Sequence, residues 1–442
     1  MAKYNIIGGN KLKGEIALSG AKNVAFKALI AGLMTDEEVI INNIPLIGDF
    51  FLTGEMLQKL GVKINIDKQR HTAIITAKNI KTSQISLEMG AKSRASSMLF
   101  GPLLSRLGQA IIPNPGGCRL GARPIDRHIE GLQKMGAVIK YEEDGYFHAS
   151  LKKKRLQGVR YFFEKNTHTG TESLILAGVL AEGETVLENA AEEPEIDDLI
   201  ALLNKMGAKI KRVKARTIVI DGVFKLKGAV HEVMPDRNEA VTYAVAAMMT
   251  GGEITITNCQ PQYLKAFLKY ILEKNFQFSN VKTAIKIKSQ EKILPQNITT
   301  APYPGFMTDW QGPMAVLLTQ ARGVSTIHET IYESRFGYVS ELRKMGAKIE
   351  EFNPEIREPE NFYNFNWQDR GKNNKQAIKI HGGRVLHNAI MDVKDLRAGA
   401  TLVLAALTAE GKSVINGVEQ IERGYEDLDI KLNSLGADIK KI

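Results

Sequence analysis

Between Pro115 and Pro124 the chain reads Pro-Gly-Gly-Cys-Arg-Leu-Gly-Ala-Arg-Pro, so one of its two cysteines, Cys118, lies in a glycine-rich stretch with Arg119 and Arg123. Flanking glycines leave a thiol little to be buried against. Neighbouring guanidinium groups stabilise the thiolate, and such a cysteine can exchange a proton or attack a substrate near neutral pH. A second set of chemistry-capable residues falls at the expected starts of apolar helices: Lys22-Asn23, Arg94, Thr169-Gly170, Asp236-Arg237, Asp309 and Asp395-Leu396-Arg397. A helix start presents unpaired N–H groups and the positive end of the helix dipole, and so attracts anions. Asn23, Thr169, Asp236 and Asp395 are also good capping types. Lys22, Arg94 and Arg397 are not, and a cation at that end is unfavourable unless an anion lies between it and the helix. The set therefore describes a strongly anion-binding cleft.

The elements that must position these residues follow from an internal repeat. A helix end runs into a strand through a Leu-Gly or Met-Gly turn at Leu60-Gly61, Met135-Gly136, Met206-Gly207, Met345-Gly346 and Leu435-Gly436, with a degenerate sixth copy at Ile271 to Phe276. A second signature, an apolar helix ending in a polar turn before an alternating strand, occurs once per unit, as in Leu180-Ala181-Glu182-Gly183 before Thr185-Val186-Leu187. Six units of strand, helix, strand, helix, strand pack most economically as two domains of three. The expected fold is α/β, with residues 22–234 forming the first domain and carrying the Cys118 loop, and residues 1–21 and 235–442 forming the second. Short connections between the halves predict an inter-domain cleft. The stretch from Glu351 to Lys375 breaks the period and reads as a surface excursion.

Bulk properties exclude several classes. With 442 residues and 44% hydrophobic content the chain can bury large cores. Its longest apolar runs, such as Val241 to Met249, are far shorter than a membrane span, and its first residues do not form a signal peptide, so the cytoplasm is expected. Two cysteines give neither a disulfide framework nor metal-ligand spacing, and no metal is expected. The net charge of +10 suits anionic substrates. The densest basic run, Lys152 to Arg155, lacks interleaved aromatics and reads as a solvated turn, so nucleic acid is not the expected partner.

The chain resembles the enolpyruvyl transferase family over essentially its whole length. The resemblance rests on Ser19-Gly20-Ala21-Lys22-Asn23, Pro115-Gly116-Gly117-Cys118 through Gly121-Ala122-Arg123-Pro124, Glu193-Pro194-Glu195-Ile196, Pro235-Asp236-Arg237, Thr308-Asp309, Glu333-Ser334-Arg335-Phe336, Asp395-Leu396-Arg397 and Arg423-Gly424-Tyr425. It implies two inside-out α/β barrels, each of three βαβαββ-type repeats, and no cofactor. It further implies transfer of the enolpyruvyl group of phosphoenolpyruvate to the C3 hydroxyl of UDP-N-acetylglucosamine, with release of phosphate.

The resemblance also implies roles. Cys118 acts as general acid on the methylene carbon, and Asp309 takes the proton from the sugar hydroxyl. Lys22, Arg123 and Arg397 hold phosphate and carboxylate, while Arg94, Arg335 and Arg423 complete the anion cradle. Asn23 hydrogen-bonds near the same centre. Arg123, Pro124, Ile125 and Asp126 line the nucleotide sugar together with Ile331 and with the turn His168-Thr169-Gly170. That turn departs from the family's usual Lys-x-Ser-Val-Gly, reading Asn166-Thr167-His168-Thr169-Gly170, and Trp310 and Ser334 are further departures. The sister reaction on shikimate 3-phosphate, whose enzymes lack the loop cysteine, and a non-catalytic nucleotide-sugar-binding relative are the competing expectations. An RNA-end-processing enzyme would need a nucleotidyl-accepting histidine motif, which the sequence does not display.

Overall fold

Strand pairing displays the repeat directly. The computed structural model describes residues 2–117, 120–272, 277–281, 283–289 and 292–442; Cys118, and part of the degenerate copy at 271–276, lie outside the described residues. There are five four-stranded sheets and one three-stranded sheet among the described residues. In each four-stranded sheet a strand that follows an apolar helix has one parallel neighbour and one antiparallel neighbour, and the latter pairs antiparallel with the fourth strand. Glu184–Glu188 shows the pattern: Arg160–Phe162 lies parallel to it, Thr217–Asp221 antiparallel, and Lys209–Lys214 beyond. In the three-stranded sheet of Gln109–Pro113, Tyr146–Leu151 and Ala137–Tyr141, the parallel neighbour shrinks to a single bridge between Gln84 and Ile111.

The chain divides into two units, one of residues 20–117 and 124–234, the other of residues 1–19, 118–123 and 235–442. A reciprocal exchange of strands explains the division. Lys13–Ala17, which precedes the helix Lys22–Gly32, pairs with Glu253–Thr257 of the C-terminal unit, whereas Ala229–Glu232, which precedes the helix Arg237–Met249, pairs with Val39–Asn42 of the N-terminal unit. The first strand, Lys3–Ile7, joins Lys412–Asn416 and Asp438–Lys441. One expectation is corrected here. The sequence places the Cys118 loop whole in the N-terminal unit, but residues 120–123 group with the C-terminal one, where the Leu120 carbonyl accepts the Ser334 N–H at 3.1 Å.

Each unit is built around helices that are apolar on every side, the pattern of an element with no solvent face. In the C-terminal unit the helices Arg237–Met249, Gln311–Thr319 and Leu396–Thr408 pack on one another and are buried almost throughout. In the N-terminal unit His168–Val179 is buried from Gly170 onward and packs on Phe100–Leu107. The Leu-Gly and Met-Gly turns require glycine, because Gly61, Gly136, Gly207, Gly346 and Gly436 all have φ between 89° and 102°.

Two surface expectations change. Within 351–375, the helix Pro359–Phe362 leads into Tyr363 and Phe365, which are buried, and Tyr363 stacks on Trp367 with centroids 4.7 Å apart. The Asn364 N–H donates to Thr330 O at 2.8 Å, so the excursion is docked rather than free. In the basic run Lys152, Lys153 and Lys154 are exposed, but Arg155 donates to the carbonyls of Leu180, Ala181 and Val223. It thereby satisfies carbonyls left open where the helix His168–Val179 ends. No described helix is long and apolar enough to cross a membrane.

Candidate active site

In the C-terminal unit the strand Val324–His328 delivers a buried acid, Glu329, and then a strap of residues 330–335. Glu329 Oε1 accepts the N–H groups of Ile331 and Tyr332 at 2.7 and 3.1 Å, and Oε2 accepts the Thr308 hydroxyl at 2.9 Å. Burial pushes the Glu329 carboxyl up against the effect of these donors and of Arg335. One carboxyl therefore fixes both the strap and the short helical turn Thr308–Trp310 that carries Asp309. Trp310 locks that turn from beneath, 1% exposed, its Nε1–H donating to Asn238 Oδ1 at 2.9 Å.

Asp309 lies between two buried cations. Arg335 Nη2 donates to Asp309 Oδ1 at 2.7 Å, and Arg397 Nε lies 3.2 Å from Oδ2. Arg335 Nη1 is also 3.6 Å from Asp395 Oδ1, and that same oxygen caps the helix Leu396–Thr408 by accepting the N–H groups of Arg397 and Ala398. Burial works against both guanidinium charges, and nearby groups more than offset it. Asp309 and Asp395 raise the Arg335 pKa; Tyr425 and Asp309 raise that of Arg397, which also faces the Tyr425 ring at 5.3 Å. Two arginines are thus held fully charged at the start of a helix, a strong anion site.

Arg123 joins this network through an aromatic ring. Its guanidinium lies over Tyr332 at 5.4 Å, and Arg335 faces the same ring at 5.8 Å. Gly121 makes the approach possible: its φ is +127°, and a Cβ there would collide with the Glu333 side chain. Ile331 sits in the strap, one residue before Tyr332. Ser334 serves through its backbone bond to Leu120, which any residue type supplies. Arg423 is only half-buried and donates to Gln420 Oε1 at 3.3 Å, two residues from the Tyr425 that touches Arg397.

In the N-terminal unit the expected residues have separate partners. Lys22, the first residue of its helix, is ion-paired with Asp49 of the helix Gly48–Lys59 at 3.0 Å. Asn23 follows it in the helix and does not cap, since the N-cap position is Ala21. Arg94 opens a helical turn, Arg94–Leu99, and its Nη2 donates to Pro124 O at 2.8 Å. Ile125 is buried and leads into the helix Asp126–Lys134, where exposed Asp126 accepts the Arg127 N–H at 2.9 Å. His128 of that helix is held neutral, its pKa pushed down to about 3 by burial and by the charges of Arg94 and Arg127.

The helix His168–Val179 is capped by Thr167, whose hydroxyl accepts the Gly170 N–H at 3.2 Å; Thr169 does not cap. A Cβ on Gly170 would strike Thr167, so only glycine fits there. Behind the cap, His168, Glu172 and Lys27 form a charged cluster. Asp49, Glu329, Tyr332, Lys27 and Glu172 are absent from the sequence reading. A buried acid or lysine in an apolar stretch is the one signal that pointed to any of them, and it names no partner.

The match to known proteins is decisive for family. Residues 6–432 match the EPSP synthase (3-phosphoshikimate 1-carboxyvinyltransferase) family. The chain belongs to the enolpyruvyl transferases. Relatives named UDP-N-acetylglucosamine 1-carboxyvinyltransferase include one from Koribacter versatilis, 42% identical across 100% of this chain and 97% of the relative, and one from Magnetococcus marinus, 42% identical across the whole of both. Among solved structures, the enolpyruvyl transferase NikO from Streptomyces tendae superposes with a TM-score of 0.85 at 22% identity, covering 100% of this chain and 98% of that one. EPSP synthase from Acinetobacter baumannii gives 0.72 at 19% identity, covering the whole of both chains. At those identities the likeness is one of fold.

Proposed function

We propose that this enolpyruvyl transferase moves the enolpyruvyl group of phosphoenolpyruvate to the C3 hydroxyl of UDP-N-acetylglucosamine and releases phosphate, the first committed step of peptidoglycan synthesis. The names of its full-length relatives favour that acceptor, and the observation that carries the chemistry is Asp309 bracketed by Arg335 and Arg397. A phosphate or carboxylate bound to those arginines would compete with Asp309 for them. Asp309 would then be released to accept the proton of the attacking hydroxyl as the anionic substrate arrives, with positioning supplying much of the effect.

In this reading Cys118 protonates the methylene carbon. Lys22, Arg123 and Arg397 hold the phosphate and carboxylate and stabilise the tetrahedral intermediate. Arg94, Arg335 and Arg423 complete the cradle, and Asn23 hydrogen-bonds within it. Pro124, Ile125, Asp126 and Ile331 line the nucleotide sugar with His168, Thr169 and Gly170. In this reading each unit is an inside-out α/β barrel, and the enzyme works in the cytoplasm without a cofactor.

The test is phosphate release by the purified chain. Release from phosphoenolpyruvate is expected with UDP-N-acetylglucosamine and not with shikimate 3-phosphate; equal release with both, or none with either, overturns the proposal. A thiol-directed epoxide such as fosfomycin should label Cys118, faster with the nucleotide sugar present. Cys259 is 1% exposed, and burial pushes its thiol up to about 12, so labelling there instead contradicts the role given to Cys118.

A further inference from the structure

Asp309 and Arg397 are both supported from within the C-terminal unit, and the two supports lead to one residue. On the Asp309 side, the indole N–H of Trp310 donates to Asn238 Oδ1 at 2.9 Å. On the Arg397 side, the guanidinium faces the Tyr425 ring at 5.3 Å, the Tyr425 hydroxyl lies 2.8 Å from Thr242 Oγ1, and the Thr242 hydroxyl donates to the Asn238 carbonyl at 3.0 Å. Asn238 is itself fixed at the start of the helix Arg237–Met249, where Asp236 Oδ1 accepts its backbone N–H at 2.7 Å.

The direction of these bonds follows from the protons present. A threonine hydroxyl carries one, and Thr242 gives it to the Asn238 carbonyl. The Tyr425 hydroxyl therefore donates to Thr242, which leaves its oxygen as an acceptor on the Arg397 side. Burial holds the Tyr425 pKa up against the Arg397 charge, so the phenol keeps its proton. Trp310, Asn238, Thr242 and Tyr425 are each no more than 2% exposed. Buried polar groups add little net stability even when bonded, and Phe267 and Phe306 already pack edge-on against the Trp310 ring. What the bonds add is direction, which apolar packing does not specify.

Resting on the roles given above to Asp309 and Arg397, we propose that Asn238 is a positioning residue for the transfer: its side chain sets Asp309 through Trp310, and its carbonyl sets Arg397 through Thr242 and Tyr425. Acid and guanidinium then keep their register on one helix start while the substrate anion replaces the contact between them. The two arms carry different losses. Displacing Asp309 misplaces the proton acceptor and lowers kcat, whereas displacing Arg397 weakens a hold on phosphoenolpyruvate made before and during reaction and raises its KM.

Steady-state phosphate release at varied phosphoenolpyruvate separates the arms, with urea midpoints measured alongside. Trp310→Phe and Asn238→Leu each remove the bond beneath Asp309 and should lower kcat about fivefold, the value of one neutral hydrogen bond, with the phosphoenolpyruvate KM unchanged. The double variant should lose no more than either alone, since both remove the same bond. Thr242→Val and Tyr425→Phe should instead raise that KM about fivefold, and Thr242→Ser, which keeps the hydroxyl, should retain the parent value. Lowered urea midpoints with kcat and KM unmoved, additive losses in the Trp310→Phe and Asn238→Leu pair, or equal losses for Thr242→Ser and Thr242→Val overturn the proposal. Each arm has two variants, so one that fails to fold leaves the other to decide. In the parent the Trp310 indole proton must resist hydrogen exchange, and exchange as fast as that of a solvent-exposed indole overturns the proposal with no variant at all. Absence of phosphate release by the parent overturns the proposed function instead, whereas release with unmoved constants in every variant overturns only the role of Asn238.

Discussion

The two units treat their anion-binding residues in opposite ways. In the C-terminal unit one carboxylate, Asp309, is shared by two buried arginines, and one of these also reaches Asp395, so four charges form a single network. In the N-terminal unit the cations go to different elements: Lys22 pairs with Asp49, Arg94 donates to the Pro124 carbonyl, and Lys27 joins Glu172 and His168. The difference begins in local structure. Asp309 sits on a short turn fixed by Glu329 and Trp310, with the start of the helix Leu396–Thr408 bringing Arg397 and Asp395 alongside it. Lys22 and Arg94 instead draw partners from different elements. A shared acid makes its neighbours interdependent, whereas separate pairs respond singly.

The sharpest way to break the contrast is Asp309→Asn. Removing the shared charge leaves Arg335 to Asp395 and Glu329, and Arg397 to Tyr425 and Asp236, and breaking a buried pair in this way costs about 3–5 kcal/mol. Loss of the proton acceptor lowers kcat by about 10² to 10⁴. Thermal unfolding and single-turnover phosphate release separate the two effects. A variant as stable as the parent would show that the arginines do not depend on Asp309.

A smaller effect tests the interdependence itself. In a double-mutant cycle on unfolding free energy, Arg335→Ala and Arg397→Ala should couple by about 0.5–3 kcal/mol, because they share Asp309. Lys22→Ala and Arg94→Ala should add within about 0.5 kcal/mol. Equal coupling in both cycles would erase the distinction between the units.

The sequence made the contrast only half visible. The six units, the helix starts and the cations upon them follow from periodicity and from the unfavourable placing of Lys22, Arg94 and Arg397, all of which are local signals. The strand exchange is legible in outline, since residues 1–21 are expected in the second domain and residues up to 234 in the first, but the pairing of Lys13–Ala17 with Glu253–Thr257 and of Ala229–Glu232 with Val39–Asn42 is not a local signal. Partners were equally hidden. Lys27 and Glu172 are 145 residues apart, and nothing near Lys27 announces an acid. Asp49 and Tyr332 look like ordinary residues of a helix and a strap until packing brings Lys22 and Arg123 to them. Capping was misplaced by two residues at Thr169 because Thr167 and Thr169 are the same type, and only backbone geometry chooses between them.

That misplacement supplies the smallest and most local test. Thr167 offers the helix His168–Val179 a single bond, to the Gly170 N–H, whereas Asp395 accepts two N–H groups and also faces Arg335. Thr167→Ala should therefore cost about 1 kcal/mol, the usual value of a lost neutral cap, and Thr169→Ala close to nothing. Asp395→Ala should cost more than Thr167→Ala, because it removes a charged cap and a partner of a buried guanidinium together. Urea midpoints of the three variants at constant slope give the order directly. If Thr167→Ala and Asp395→Ala were equal, Asp395 would contribute nothing to Arg335, and the network of the C-terminal unit would shrink to three charges.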